Sequence, residues 1–133
     1  MTGLNPINRD PAIRVTAMPA DANAYGDIFG GWLMSLMDSA AGLVAARRTR
    51  GRAVTVALDG MEFHKPVKIG DEVSVYASIE RVGRTSLTIK TEAWRRHRHS
   101  EAEEQVTQAV FTFVAIDDEG RPRVIGDEPS SAS

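Results

Sequence analysis

A chain of 133 residues, 42% hydrophobic and 26% charged, is long enough for one domain with a sizeable apolar core and too short for a second. Cysteine is absent, which excludes disulfides, thiolate catalysis and cysteine-bearing zinc sites, and a net charge of −2 argues against a generic nucleic-acid binder. No apolar run approaches a membrane span and the start of the chain, with Arg9 and Asp10, does not read as a signal peptide, so a soluble cytoplasmic protein is expected.

Residues 1–11 include Asn5, Pro6, Asn8 and Pro11 and read as a flexible lead-in to a domain spanning 12–126. Ile13 to Met18 alternates apolar and polar positions as a first strand, closed by Pro19. In the loop that follows, Gly26, Gly30 and Gly31 delay any helix until near Gly31, and Asp27 offers an N-cap-type oxygen.

From Trp32 to Ala46 the residues are apolar on nearly every side, the pattern of a buried helix. One narrow stripe differs: Gly31, Ser35, Asp38, Ser39 and Gly42 fall at steps of three and four and share a face. Small residues admit a close approach, and a carboxylate in an apolar helix costs several kcal/mol unless it is solvated, paired or used. Asp38 is therefore the first candidate for chemistry. The plainer alternative is an aspartate that faces water or bonds a backbone group.

Arg47 and Arg48 suit a helix C-terminus, where cations meet the negative end of the dipole, whereas Arg50 or Arg52 could instead match phosphate oxygens. Ala53 to Asp59 reads as a strand with Val54, Val56 and Leu58 on one face; Met61 to Val67 continues it, with Gly60 as a bulge in one long strand. Gly70-Asp71 is a turn. Glu72 to Val82 and Thr85 to Arg96 are long strands joined at Gly83-Arg84, each with one buried and one wet face. The run from Arg95 to Glu104 flips from basic to acidic, either a hairpin tip with cross-strand charge pairing or a solvated charged loop. Gln105 to Ile116 is the last strand, apolar on both faces from Ala109 onward except at Thr112, and is expected at the centre of the sheet. Asp117 to Gly120 is a turn, and 127–133 reads as a disordered tail. This order predicts an α+β domain in which one curved antiparallel sheet wraps one long helix.

Such a domain has little spare room, so a site opens most naturally at an edge, including a dimer interface. Amides at Gly30 and Gly31 would carry the partial positive charge of a helix start, suited to a developing oxyanion. With Asp38 they form a minimal apparatus for acyl transfer or hydrolysis. His64, His97 and His99 do not combine with Asp38 into a metal or Ser-His-Asp set, and neither a metal nor a separate cofactor is expected.

The run A-M-P-A-D-A-N-A-Y-G-D-I-F-G-G-W-L-M-S-L-M-D, followed by R-A-V-T-V-A-L-D-G-M-E-F-H-K-P-V and V-G-R-T-S-L, resembles the YciA-type acyl-CoA thioesterases of the hotdog-fold superfamily, over about residues 13–125. The resemblance implies hydrolysis of acyl-CoA to a free acid and CoA, so that CoA is part of substrate and product. It implies that Asp38 is catalytic, as general base or as nucleophile, and that Asn23 acts with the aspartate of a partner subunit. Gly30 and Gly31 match the amides that polarise the thioester carbonyl. Homodimers with shared active sites are implied, commonly gathered as a trimer of dimers.

Arg84, Thr85 and Ser86 in the hairpin turn, with Arg52, Arg95 and Arg96, are the candidate contacts for CoA phosphates or pantetheine. Met34, Leu36, Met37, Met61, Phe63 and Tyr76 either line an acyl tunnel or are plain core. The main alternative is a non-catalytic acyl-CoA sensor of the same fold, against which the presence of both Asn23 and Asp38 counts. A hotdog dehydratase would want a histidine in the helix or its preceding loop, and none is there. A nucleic-acid module using Arg47–Arg52 and Arg95–His99 is disfavoured by the acidic balance and the shortage of stacking aromatics, and no membrane partner is expected.

Overall fold

The computed structural model describes residues 10–127. Its elements are β1 (Ile13–Thr16), a short 3-10 turn (Pro19–Asp21), α1 (Gly30–Thr49), β2 (Ala53–Asp59), β3 (Glu72–Val82), β4 (Ser86–Arg96) and β5 (Glu103–Ala115). The expectations for the lead-in before Asp10 and the tail after Asp127 lie outside the described residues. Among the described residues no helix is long and apolar enough to cross a membrane.

Leu33, Met37, Ala40, Ala41, Ala45 and Thr49 are the buried residues of α1. They recur every three or four positions and so form one stripe along the helix. Three of them are alanines, which let the helix axis lie close to the strands beneath. The opposing face is built by Val73 and Val75 of β3, Leu87, Ile89 and Ala93 of β4, and Ala109, Phe111 and Phe113 of β5. Helix burial is one-sided, which corrects the expectation of a helix buried all round: Met34 is 39% and Leu43 50% exposed. A five-stranded sheet bends around one side of a helix and leaves the other open.

The sheet runs β1-β3-β4-β5-β2, with every neighbouring pair antiparallel. A single curled antiparallel sheet around one helix is the expected hotdog architecture. Strand β4, not β5, is central; β5 lies one place off the middle between β4 and β2, which explains its apolar second face. β1 stops at Thr16 because Ala17 exchanges backbone hydrogen bonds with the Gly70-Asp71 turn, at 2.9 Å to the Asp71 carbonyl and 2.8 Å from the Gly70 amide. The outer face of the sheet is drier than alternation predicts. Ser74, Tyr76 and Trp94 are buried there, beside a lattice in which Arg14 donates to Ser74 at 2.8 Å and lies 3.6 Å from Glu72.

Two departures concern β2. The strand ends at Asp59, and residues 60–67 cross to β3 as an unpaired strap rather than as a continuation. Gly60, at φ 72°, ends the strand, and the irregularity in register falls between Thr55 and Ala57 instead.

The charged hairpin end is paired across the strands. Arg95 stands opposite Glu104 and donates to its carboxylate at 2.7 Å, while Arg96 donates to Glu72 at 2.6 Å. The hydrogen bond from Arg95, with Lys65 at 3.4 Å, holds the Glu104 carboxyl below its ordinary value of 4.5. A carboxylate favoured in the folded state stabilises it above the unfolded pKa and loses that contribution as pH falls through the folded one. Urea midpoints measured across an acid pH series should show wild type more stable than Glu104→Gln at neutral pH, with the difference fading well below pH 4.5.

Candidate active site

The uncovered side of α1 faces the free side of β2, and between them lies a cleft of about 360 Å³ lined by Gly31, Met34, Ser35, Asp38, Thr55, Leu58 and Phe111. Three members of the small-residue stripe, Gly31, Ser35 and Asp38, thus do share a cavity. Its floor is apolar, with Phe111 nearly inaccessible beneath Leu58 and Met34. The polar groups are few and converge on Asp38.

Thr55 Oγ1 donates to Asp38 Oδ1 at 2.5 Å. This partner escapes a reading by strict alternation, which puts Val54, Val56 and Leu58 on one face and Thr55 on the other. The bulge changes the phase: Thr55 pairs with Phe113 and Leu58 with Phe111, both inward-facing residues of β5. An extra residue at Val56 therefore turns Thr55 and Leu58, three apart, to the same side. The lone hydroxyl in the run A-V-T-V-A-L was the available signal.

The helix begins at Gly30, with Phe29 as N-cap in extended conformation and no side chain capping the first turn. Trp32 and Leu33 amides turn back to the Phe29 carbonyl, at 3.1 and 3.4 Å. Gly30 and Gly31, at the first two helical positions, have no carbonyl a full turn behind them within the helix. Asp27 does not cap, contrary to expectation. Its carboxylate is taken by Lys68 Nζ, and its backbone bridges to Lys68 as well. The first turn is thereby left without a side-chain cap.

Asn23 shapes the loop that leads there. Its Oδ1 accepts from the amides of Tyr25 at 2.8 Å and Asp27 at 3.2 Å, and its own amide donates to the Asp27 carbonyl at 2.8 Å. Gly26 completes the turn at φ 84°, a conformation that favours glycine. With Oδ1 occupied, the NH2 of Asn23 is the part it can offer elsewhere. Asn23 does not line the cleft that holds Asp38 in the same chain.

The candidate CoA contacts divide. Arg95 is only 7% exposed and is committed inside the chain, donating to the Pro66 carbonyl at 2.6 Å and to Glu104. Its terminal nitrogens are thus engaged within the chain, where they brace the strap and the hairpin rather than face solvent. Arg96 is half-buried and paired with Glu72. Arg52, Arg84, Thr85 and Ser86 come together at the opposite end: the Ile116 amide donates to the Arg52 carbonyl at 3.0 Å and the adjacent Ala115 amide to Thr85 at 2.9 Å. Arg84 and Arg52 are exposed, and Ser86 lines a small groove with Arg81 and Gly83. Arg48 donates to the Gly126 carbonyl at 3.1 Å, in keeping with a helix-end role.

His97 Nδ1 lies 2.8 Å from Asp71 Oδ1, far in sequence from the cleft residues, and His64 and His99 are exposed. Among the described residues no group of three or more His, Asp or Glu side chains is placed to hold a metal ion. The chemistry available at the cleft is that of a carboxylate, two hydroxyls and the helix-start backbone at Gly31 above an apolar floor.

Comparison with known proteins fits this inventory. Residues 25–102 match the family model described as the thioesterase superfamily. A protein of Zymomonas mobilis named an uncharacterized acyl-CoA thioester hydrolase is 57% identical over 113 residues, covering 85% of this chain and 76% of its own. The acyl-CoA thioester hydrolase YciA of Escherichia coli K12 is 47% identical over 119 residues, covering 87% and 90%. Among solved structures, the hexameric broad specificity acyl-coenzyme A thioesterase HI0827, in a variant with one aspartate replaced by alanine, superposes with a TM-score of 0.87 at 45% identity, covering 93% of this chain and 91% of that one. With its family match over more than half the chain and relatives aligned over most of it, this chain belongs to the thioesterase superfamily.

Proposed function

We propose that this protein hydrolyses acyl-CoA thioesters to a free carboxylic acid and CoA. The observation that carries the reading is the convergence of Asp38, Thr55 and the helix start at Gly31 on one cleft with an apolar floor. The thioester carbonyl oxygen lies toward the Gly30 and Gly31 amides, whose dipoles favour the negative charge that develops there. Thr55 occupies Asp38 Oδ1 and fixes the carboxylate plane, leaving Oδ2 to take a proton from water as its oxygen attacks the carbonyl carbon. Collapse of the tetrahedral intermediate breaks the C–S bond, and the leaving sulfur recovers the proton from Asp38. Direct attack by Asp38 through a mixed anhydride uses the same groups; after a single turnover in ¹⁸O-water, label found in Asp38 in place of the acid marks an anhydride opened at the aspartyl carbonyl, whereas attack of activated water on the thioester puts the label in the acid alone.

The site is completed by a second copy. β2 is an edge strand whose Val56 is 56% exposed, and Leu43 of the adjoining helix face is 50% exposed. An apolar edge of this kind invites strand pairing unless it is covered. Pairing of two β2 edges would join the sheets into a homodimer and carry the Asn23 loop of one subunit toward the other's Asp38; three such dimers would give the hexamer known for HI0827. Asn23 then supplies its NH2 to the substrate or the attacking water.

Arg52, Arg84, Thr85 and Ser86 form the proposed seat for the CoA phosphates and pantetheine, joined by Arg96 only if it leaves Glu72. Arg52 is three residues, about 10 Å of strand, from Thr55, within reach of an extended pantetheine arm.

Thiol release from a series of acyl-CoA esters tests the reaction. Asp38→Asn should keep the fold and lose most turnover, because an amide can neither accept the proton nor attack; near wild-type hydrolysis would remove Asp38 from the role. Thr55→Val keeps the shape of the strand while deleting the hydrogen bond that orients the Asp38 carboxylate, so kcat should fall by about tenfold or more while circular dichroism shows the fold retained. Val56→Lys should yield a smaller species by light scattering and lose activity with it; an unchanged mass would separate the β2 edge from assembly.

A further inference from the structure

The strap between β2 and β3 brings an aromatic ring to the helix start. A Cβ added at Gly30 would lie 3.1 Å from Phe63 Cζ and 3.3 Å from Cε2, so the ring rests directly on the glycine. Phe63 is nonetheless 48% exposed and is not part of the core, unlike its neighbour Met61. A large ring that leaves half its surface open is poorly explained as packing alone.

The ring is held firmly. On one side of it the Glu62 carbonyl accepts from Thr107 Oγ1, and on the other the His64 amide donates to the Val106 carbonyl at 2.8 Å. Two residues further on, Arg95 fixes the Pro66 carbonyl at 2.6 Å. The Val67 carbonyl then accepts from the Ile28 amide at 2.9 Å, which ties the strap to the segment entering α1. Thr107 and Arg95 are buried, so these anchors are shielded from water. The strap cannot swing away from Gly30 without breaking several of them.

We infer that Phe63 is a specificity-determining residue whose ring, braced against Gly30, restricts bulk on the acyl carbon next to the thioester carbonyl. The inference rests on the thioesterase reading. If the carbonyl oxygen is held by the Gly30 and Gly31 amides, the carbon bearing the acyl chain is one bond from the carbonyl carbon and sits beside the ring. An unbranched chain turns toward the Leu58 and Phe111 floor. A methyl branch at that carbon must occupy space taken by Phe63. Glycine at position 30 serves this arrangement, since any side chain there would displace the ring.

The test compares kcat/KM for butanoyl-CoA and 2-methylpropanoyl-CoA, which have equal carbon counts, in wild type, Phe63→Ala and Phe63→Leu. Wild type should favour the straight ester by about tenfold or more, the scale on which a pocket resolves one misplaced methyl group. Phe63→Ala should bring the two esters within about threefold of each other, mainly by raising the branched one, with Phe63→Leu intermediate. Thermal melts confirm that each variant is folded, and the leucine variant carries the comparison if the alanine variant is not. A ratio that stays constant while both rates fall together would overturn the inference and leave the ring a packing residue. No hydrolysis of any ester by wild type would overturn the thioesterase reading itself, and this inference with it.

Discussion

The rest of the molecule depends on an incomplete enclosure. A twenty-residue helix has apolar or small residues around most of its circumference, and a five-stranded sheet covers only one side. The covered side takes Leu33, Met37 and the alanines. The remainder, with Met34, Ser35, Asp38 and Leu43, is left beside an edge strand that is itself apolar and unpaired on its outer side. Neither surface is stable in water as a large exposed patch. Cleft and proposed subunit contact therefore have one origin, and a site on this helix is a site at an edge.

Electrostatics at the helix start follow the same economy. An aspartate caps a helix from the position just before it, and Asp27 stands two residues ahead of the actual N-cap, Phe29. Lys68 takes its carboxylate instead. The consequence is chemical: a carboxylate on the first-turn amides would repel the negative charge of an oxyanion and occupy its donors. Asn23 is likewise divided between jobs, with Oδ1 spent on the Tyr25 and Asp27 amides and NH2 left over. The loop is held by its own hydrogen bonds, with the Asn23, Tyr25, Gly26 and Asp27 amides all donating within it.

What could be read in the sequence was whatever local spacing controls. The stripe of small residues with one carboxylate located Asp38 in a cleft, and the alternation in β3 and β4 placed those strands within a residue of their observed bounds. Readings failed where a tertiary contact outweighed local pattern. The bulge at Val56 brings Thr55 to the same side as Leu58, so strict alternation along β2 does not reveal the residue hydrogen-bonded to Asp38. Arg95 sits in a basic run that looks solvated, and only the cross-strand position of Glu104 with the approach of Pro66 draws it inside. Met61 to Val67 has extended character, but it lies against β5, which already has β4 and β2 as neighbours, so it joins no ladder there.

That last frustration is informative. A segment with strand-like composition that cannot join the sheet must satisfy its backbone some other way, and residues 62–67 do so through Thr107, Val106, Arg95 and Ile28. These partners lie on three parts of the frame: two on β5, one on β4, one at the entrance to α1. The strap thus triangulates the helix start against the sheet, and Phe63 is the side chain it delivers there. Arg95 is buried in the same arrangement, where the Pro66 carbonyl and Glu104 take its two terminal nitrogens and Nε has no partner. A basic residue from a charged run thus ties to β4 the same strap that carries Phe63 to the helix start.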